Sequence, residues 1–280
     1  MVEEKLFIPK EAFEKGLLQF RKYDCHVIRN LKDNTISFGD RRNFNDPFDC
    51  NLPINLCSEG EWQNYLFRFP PKDQLASPNF IAKRAKELAS DPQKAKSEIE
   101  SLIYDHRRFS CLTIASEERL FFNSLFWSNY ADKHAGICLK FNGKLLIESF
   151  QQKGILAISV DYCEDNKIPD FNYIRNKLNG RKKLASKYFL GTKSSQWINE
   201  GELRFIYCSA ERIKKEDNYI EKEFAPECLE EVYLGCRFNH EKLDEIKEIL
   251  SDPKYQSVKL YSLKKDNKHF RLIRDQIRIH

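Results

Sequence analysis

Short runs of β-prone residues occur along most of the chain, and helical segments of uneven length separate them. The strongest run covers residues 202–208, whose centre reads Leu-Arg-Phe-Ile-Tyr. Strands and helices that alternate this irregularly predict an α+β fold with a central mixed β-sheet and flanking helices, rather than a doubly wound sheet. The predicted strands are residues 35–38, 110–115, 136–141, 155–162, 202–208, 232–234, 258–263 and 270–273.

The helical patterns lie between these strands and include one long block. Residues 61–109 are rich in Ala, Lys, Glu and Leu, and Asp91 before Pro92 predicts a helix start within them. We interpret this block as a helical insertion in a single α+β domain that spans residues 1–280. The other predicted helices are residues 11–20, 25–31, 121–131, 172–189 and 239–250.

Composition narrows the class of protein. The 280 residues contain no stretch of about 18 apolar residues, and the start of the chain is acidic with no apolar segment after it. These features predict a cytoplasmic protein that does not enter a membrane. The nine cysteines include no Cys-x-x-Cys, which favours reduced thiols and no metal site.

The positive charge is concentrated at the end of the chain. The net charge is +5, and residues 254–280 alone hold eight Lys and Arg against two Asp. A basic segment of this kind can contact nucleic acid or another acidic surface. The alternative is an ordinary solvated strand or helix face.

The first candidate for chemistry is the pair Glu200-Gly201-Glu202. In an extended chain both carboxylates point to the same face, where they can bind a metal or share acid–base work. Gly201 allows a substrate to approach the backbone closely. Lys193, a few residues earlier, can contact a phosphate or pair with an acid. The alternative is a solvent-facing strand start with two ordinary acids.

A polar loop is the second candidate. Asn45 and Asp46 before Pro47 predict an Asx-type turn, and Asn45, Asp46 or Asp49 can reach a ligand from it. The alternative is a purely structural turn that the flanking phenylalanines anchor.

Aromatic residues provide two further candidates. Trp127 and Tyr130 share a helix face, and Trp127 with His134 can wall a planar ligand such as nicotinamide or adenine, although such pairs also occur in cores. Arg21 beside Phe20 can clamp a phosphate with bidentate hydrogen bonds, or can simply lie on the surface.

Other motifs are missing. The sequence contains no Gly-x-Gly-x-x-Gly, P-loop, His-Glu-x-x-His or Gly-x-Ser-x-Gly, which argues against dehydrogenases, P-loop enzymes, zinc proteases and α/β-hydrolases.

Taken in order, these motifs resemble domain-of-unknown-function family 2971, a mostly bacterial family. The resemblance covers about residues 17–236. It is carried by Phe20-Arg21, residues 44–49, residues 126–138, residues 160–162, Lys193-x-x-x-Trp197-x-x-Glu200-x-Glu202-x-Arg204 and residues 229–235.

The chain also resembles ADP-ribosyltransferases of the Arg–Ser–Glu class. That resemblance implies that Arg21 holds the phosphates of NAD, and that the strand of residues 110–113 supplies a hydroxyl. It also implies that Glu202 is the catalytic carboxylate and that Glu200 positions the acceptor. Trp127 or Tyr130 stacks the nicotinamide in this mapping.

We therefore expect an NAD-dependent ADP-ribosyltransferase-like enzyme that uses NAD as a substrate and modifies a protein or a nucleic acid. The resemblance also suggests a bacterial toxin or an effector of defence against phage. One alternative is a Mg²⁺-dependent nuclease built on Asp46, Asp49, Glu200 and Glu202. Another is a non-catalytic recognition module.

Overall fold

The computed structural model describes residues 8–51, 55–70, 77–164, 172–214 and 216–279. Ten strands form one sheet, in which Leu229–Leu234 and Lys259–Lys265 pair in parallel while the other described pairs of this sheet are antiparallel. The sheet is therefore mixed, and the predicted α+β fold is confirmed. The strands are β1 Leu17–Arg21, β2 Thr35–Gly39, β3 Arg107–Ile114, β4 Ile137–Phe141, β5 Leu156–Ser159, β8 Glu202–Cys208, β9 Tyr219–Glu223, β10 Leu229–Leu234, β11 Lys259–Lys265 and β12 Leu272–Ile277, with β6 Asp161–Cys163 and β7 Thr192–Ser194 as a separate pair.

Helices cover the sheet on both sides. They are α1 Lys10–Lys15, α2 Cys25–Asp33, α3 Glu59–Arg68, α4 Pro78–Ser90, α5 Pro92–Tyr104, α6 Ser124–Asn129, α7 Gly143–Gln152, α8 Tyr173–Leu178, α9 Lys182–Gly191 and α10 Leu243–Leu250. Helices α3, α4 and α5 lie in the predicted helical block, and Asp91 caps α5 by accepting from the backbone N–H of Gln93 and Lys94. These helices bury Trp62 and Ile99 in a cluster that also contains Phe109 of β3 and Ile206 of β8.

The sheet splits along one edge of β3. On its other edge, β3 pairs with β8 from Arg107 to Thr113. On the split edge, β1 pairs only with the last two residues of β3, and β2 pairs only at Gly39 with Phe109. Within the described ladders, residues 110–112 of β3 pair with neither β1 nor β2, because these two strands diverge there. This split is where the candidate site lies.

The predicted helix over residues 11–20 is wrong beyond Lys15. Gly16 ends α1 at a φ of +84°, and a Cβ on it would lie 2.6 Å from the carbonyl oxygen of Phe141. Only glycine fits this position, and the chain then continues as β1.

Several other boundaries also differ from the predictions. Asn123 divides the predicted helix 121–131 into a π-turn at Glu118–Phe122 and α6, and a turn at 179–181 separates α8 from α9. The predicted strand 155–162 splits into β5 and β6, and β3 begins inside the stretch predicted as helical. The sequence patterns did not reveal β1, α7 or β9.

Among the described residues, no helix has the length and apolar character needed to span a bilayer.

Candidate active site

A cavity of about 400 Å³ occupies the split between β1 and β2. This volume falls within the range of small-molecule sites, roughly 300–1,000 Å³. Arg21 of β1, Asn45 and Asp49 of the polar loop, and Tyr130 after α6 all line the cavity. Lys193, Glu200 and Glu202 also line it. The structure thus brings five of the eight predicted site residues to one cavity: Arg21, Asn45, Tyr130, Glu200 and Glu202.

Glu200 and Glu202 reach this cavity through a tight turn. Glu200 ends a 3₁₀ helix at Ser195–Glu200, Gly201 adopts a left-handed φ of +48°, and β8 begins at Glu202. The prediction that both carboxylates share a strand face is therefore wrong, because the chain is not extended at Gly201.

Arg119 clamps this turn and was not identified from the sequence. Its guanidinium donates to the carbonyl oxygen of Ile114 at 2.8 Å and to that of Asn199 at 3.1 Å. A Cβ on Gly201 would lie 2.1 Å from Arg119 Nη2, so the guanidinium needs glycine beside it. The hydrogen bonds of Arg119 thus stabilise the turn that carries Glu200 and Glu202.

Five buried charged residues, Asp49, Lys193, Glu200, Glu202 and Arg204, form what we call the charge cluster. Lys193 Nζ lies 2.6 Å from Glu200 Oε2, 3.3 Å from Glu202 Oε2 and 3.4 Å from Asp49 Oδ2. Three carboxylates face two cations, so the charge cluster carries a net charge of −1 when all five groups are ionised.

Arg204 binds the other side of the same carboxylates. Its Nε donates to Glu202 Oε1 at 2.7 Å, and its Nη2 donates to Asp49 Oδ2 at 2.8 Å. The side chain is completely buried and also donates to the carbonyl oxygen of Leu190 at 2.9 Å. Arg204 lies two residues after Glu202 on β8, and this alternation was the signal in the sequence that could have placed it beside Glu202.

The two glutamates differ in their surroundings. Burial works against ionisation of Glu202, but the positive charges of Arg204 and Lys193 outweigh it and lower its pKa to about 2. Burial raises the pKa of Glu200, and Lys193 opposes that shift only in part. Glu202 is therefore a fixed negative charge, whereas Glu200 is the group more ready to accept a proton.

Tyr130 connects Glu200 to the polar loop. Its hydroxyl donates to Glu200 Oε1, and Asn45 Nδ2 donates to the same hydroxyl at 3.2 Å. Burial and the nearby Glu200 raise the pKa of Tyr130 well above its ordinary value. Tyr130 therefore stays protonated and holds the Glu200 carboxylate in place.

Arg21 is the cavity's unpaired cation. Its side chain is partly exposed in the cavity, and it makes no hydrogen bond or ion pair within the part of the chain that the structure describes. Burial lowers the pKa of its guanidinium, although an arginine remains charged at neutral pH. Asp24 and Tyr219 attract the guanidinium electrostatically but do not engage its N–H groups, so these donors are available to an anion.

Three predicted site residues do not line the cavity. Trp127 is fully buried, and its indole N–H donates to the carbonyl oxygen of Leu120 at 2.8 Å. Asp46 accepts from the backbone N–H of Phe48 at 2.9 Å, as an Asx turn does. His134 lies near Trp127 but lines a different cavity, which leaves Tyr130 as the aromatic residue of the pair that reaches this one.

The strand predicted to supply a hydroxyl also lines the cavity. Ser110 accepts from Gln19 Nε2 at 3.3 Å, and the Thr113 hydroxyl donates to the carbonyl oxygen of Glu200. Cys111 lies between them on β3 and also lines the cavity. Thr113 thus helps to fix the Glu200 turn, while Ser110 lies nearer the β1 side.

The geometry does not favour the nuclease hypothesis. The Lys193 ammonium occupies the position between Asp49, Glu200 and Glu202 that a divalent cation would take. Asp46 is committed to its turn. Across the described ranges, no group of three or more His, Cys, Asp or Glu is arranged to hold a metal ion.

Fold and site together define an α+β protein with a cavity at a split in its sheet and a buried charge cluster on one wall. Residues 126–205 match the model of a family described as protein of unknown function (DUF2971). The predicted resemblance to this family is confirmed over that span, which contains Tyr130, Lys193, Glu200, Glu202 and Arg204. Comparisons with curated proteins and with solved structures give no significant match.

Proposed function

We propose that the protein is an NAD-dependent ADP-ribosyltransferase-like enzyme, with its active site in the cavity between β1 and β2. The observation that carries the proposal is the charge asymmetry of this cavity. Unpaired Arg21 lies on the β1 wall, and the charge cluster with its net negative charge contributes Lys193, Glu200 and Glu202 to the same cavity.

NAD has the matching asymmetry. Its pyrophosphate is anionic and suits the bidentate donors of a guanidinium such as that of Arg21. Its ribose develops positive charge when the bond to nicotinamide breaks. A fixed negative charge beside that ribose stabilises the transition state, and such an interaction typically contributes on the order of 10²–10³ in rate.

The two glutamates suit different parts of this reaction. Glu202, which stays ionised, provides the fixed charge near the ribose. The C1′–N bond breaks and its electron pair leaves with neutral nicotinamide, while an acceptor oxygen or nitrogen bonds to C1′. Glu200, whose pKa is raised, takes the proton that the acceptor releases. Tyr130 and Lys193 orient the Glu200 carboxylate for this step.

The test is nicotinamide release from NAD by the wild type and by Arg21→Ala and Glu200→Gln. We expect Arg21→Ala to raise the KM for NAD about tenfold or more, because phosphate binding is lost. Glu200→Gln should lower kcat by about 10²-fold in the presence of an acceptor. Arg29→Ala is the matched control, since Arg29 is an exposed surface arginine outside the cavity.

Each assay is run with RNA, with DNA and with a protein extract, because the proposal leaves the acceptor open. The additive that accelerates release identifies the acceptor class, and roles as a toxin or in defence against phage remain proposals that depend on it. Absence of release by folded wild-type protein in every mixture would overturn the proposal. Cleavage of nucleic acid with Mg²⁺ and without NAD would instead support the nuclease.

A further inference from the structure

A second cavity, of about 490 Å³, is lined by residues that precede and follow Tyr130 in sequence, among them Phe122 and His134. The loop of residues 266–271 between β11 and β12 forms one wall, and the π-turn at Glu118–Phe122 together with His134 forms the other. Its lining includes Phe122, Lys265, Lys268 and Phe270. The proposed function makes no use of these residues.

Asp266 fixes the conformation of this loop and pairs with one of the nearby positively charged side chains. Its carboxylate accepts from the backbone N–H of Lys268 at 2.8 Å and from Arg271 Nε at 2.7 Å. Arg271 is thereby paired. Lys265 and Lys268 make no side-chain hydrogen bond or ion pair within the described residues, so both ammonium groups are available to an anion.

The positive charges around this cavity affect the ionisation of His134. Its Nδ1 is buried and has no hydrogen-bond partner in the described part of the chain. Burial lowers the pKa of His134, and the charges of Arg237 and Lys265 lower it further. The ring is therefore neutral at pH 7, while the lysines supply the positive charge.

Two aromatic rings lie beside these cations and face solvent. Phe270 at the tip of the loop is fully exposed, and Phe122 is 45% exposed. Other rings on this protein are also exposed, but these two line one cavity together with two lysines that have no partner among the described residues. Nucleic-acid bases that are not paired stack on exposed rings, while their phosphates bind lysines.

We propose that the cavity between the β11–β12 loop and the π-turn binds single-stranded nucleic acid. Phe270 and Phe122 stack bases, and Lys265 and Lys268 contact phosphates. The concentration of positive charge in residues 254–280 provides the attraction at longer range. This binding does not depend on the proposed function, and it is measured without NAD, so that either proposal can fail alone.

The experiment measures fluorescence anisotropy of labelled oligo(U) and oligo(dT) of about twelve nucleotides and of a duplex of equal length. The salt concentration is varied between about 50 and 200 mM. We expect the wild type to bind single strands more tightly than the duplex, and the two single-stranded probes show whether RNA or DNA is preferred.

Phe270→Ala should weaken binding about tenfold, since the stacking of one base on this ring is lost. Because Phe270 is fully exposed, this variant should keep its fold. Phe67→Ala is the matched control, as Phe67 is 75% exposed on α3, and it should bind like the wild type.

The double variant Lys265→Ala/Lys268→Ala should reduce the slope of log K against log salt by about 1.4, which corresponds to two phosphate contacts on a single strand. Lys83→Ala/Lys86→Ala on α4 should leave the slope unchanged. Lack of wild-type binding, a preference for duplex, equal competition by poly-glutamate, or an unchanged Phe270→Ala variant would overturn the proposal.

Discussion

The charge cluster and the β11–β12 loop both concentrate charged side chains, but they hold them in opposite ways. In the charge cluster, Lys193 and Arg204 are buried and each contacts two or more carboxylates. At the loop, Lys265 at the end of β11 and Lys268 within the loop are exposed and free of partners among the described residues. The first arrangement fixes the position of the carboxylates, whereas the second leaves two ammonium groups available to the phosphates of the proposed nucleic-acid ligand.

The energetics of the two regions differ for the same reason. Removing one partner of a buried ion pair leaves the other charge with neither a partner nor solvent, which typically lowers the free energy of unfolding by about 3–5 kcal/mol. An exposed pair contributes roughly 0–1 kcal/mol because water and salt screen it.

The largest effect is expected for Arg204→Met. The substitution leaves Asp49 and Glu202 in the interior with only Lys193 as a cation, and should lower the free energy of unfolding by about 3–5 kcal/mol. Urea denaturation measures it. Lys10→Ala, which removes an exposed pair with Glu14, is the control and should cost less than about 1 kcal/mol. Equal losses would contradict the comparison.

Gly201→Ala should have the next largest effect, about 2–3 kcal/mol. A side chain in a left-handed conformation costs about 1–2 kcal/mol, and the new Cβ also displaces the Arg119 guanidinium. Gly154→Ala isolates the second contribution, because Gly154 has a φ of +70° with no heavy atom within 4 Å of the added Cβ. If the two variants unfold at the same urea concentration, Arg119 does not clamp the turn.

The pH dependence separates the two glutamates. The folded-state pKa of Glu202, lowered to about 2, lies below its unfolded value near 4.3, so its stabilisation is present above that value and is lost as the pH falls through 2. The raised pKa of Glu200 acts in the opposite sense and reduces stability as the pH rises through it. The difference in unfolding free energy between the wild type and Glu202→Gln should therefore shrink below about pH 4. A constant difference down to pH 2 would contradict this assignment.

The smallest effect is expected for the two free lysines at the end of β11 and in the β11–β12 loop. Lys265→Ala/Lys268→Ala removes two exposed charges and should change the free energy of unfolding by less than about 0.5 kcal/mol per site. A thermal melt beside the wild type measures this. A loss of several kcal/mol would show that these lysines are structural and would remove the contrast with the charge cluster.

The sequence predicted the local elements of the site better than their arrangement. Strand β8 was predicted with its observed bounds, because its β-prone residues and the preceding glycine are local signals. The split between β1 and β2 was not predicted, since it depends on how two distant strands pair along β3. Trp127 and Tyr130 are neighbours on one segment, yet only packing decides that Trp127 is buried and that Tyr130 lines the cavity.

The charge cluster shows the same limit. The nuclease hypothesis already placed Asp49 with Glu200 and Glu202, although Asp49 lies in a loop more than a hundred residues away in sequence. The sequence did not indicate that the Lys193 ammonium lies between these carboxylates. The unpaired state of Arg21 is also a property of the fold, because it depends on what surrounds the guanidinium in space.

The most direct test of the account is a crystal structure with an NAD analogue whose nicotinamide is joined to the ribose through carbon, so that it cannot be released. We predict that the analogue occupies the cavity between β1 and β2, with its pyrophosphate on the Arg21 guanidinium and its ribose beside Glu200 and Glu202. An analogue that binds elsewhere, or a cavity that stays empty at saturating analogue, would contradict the proposed function.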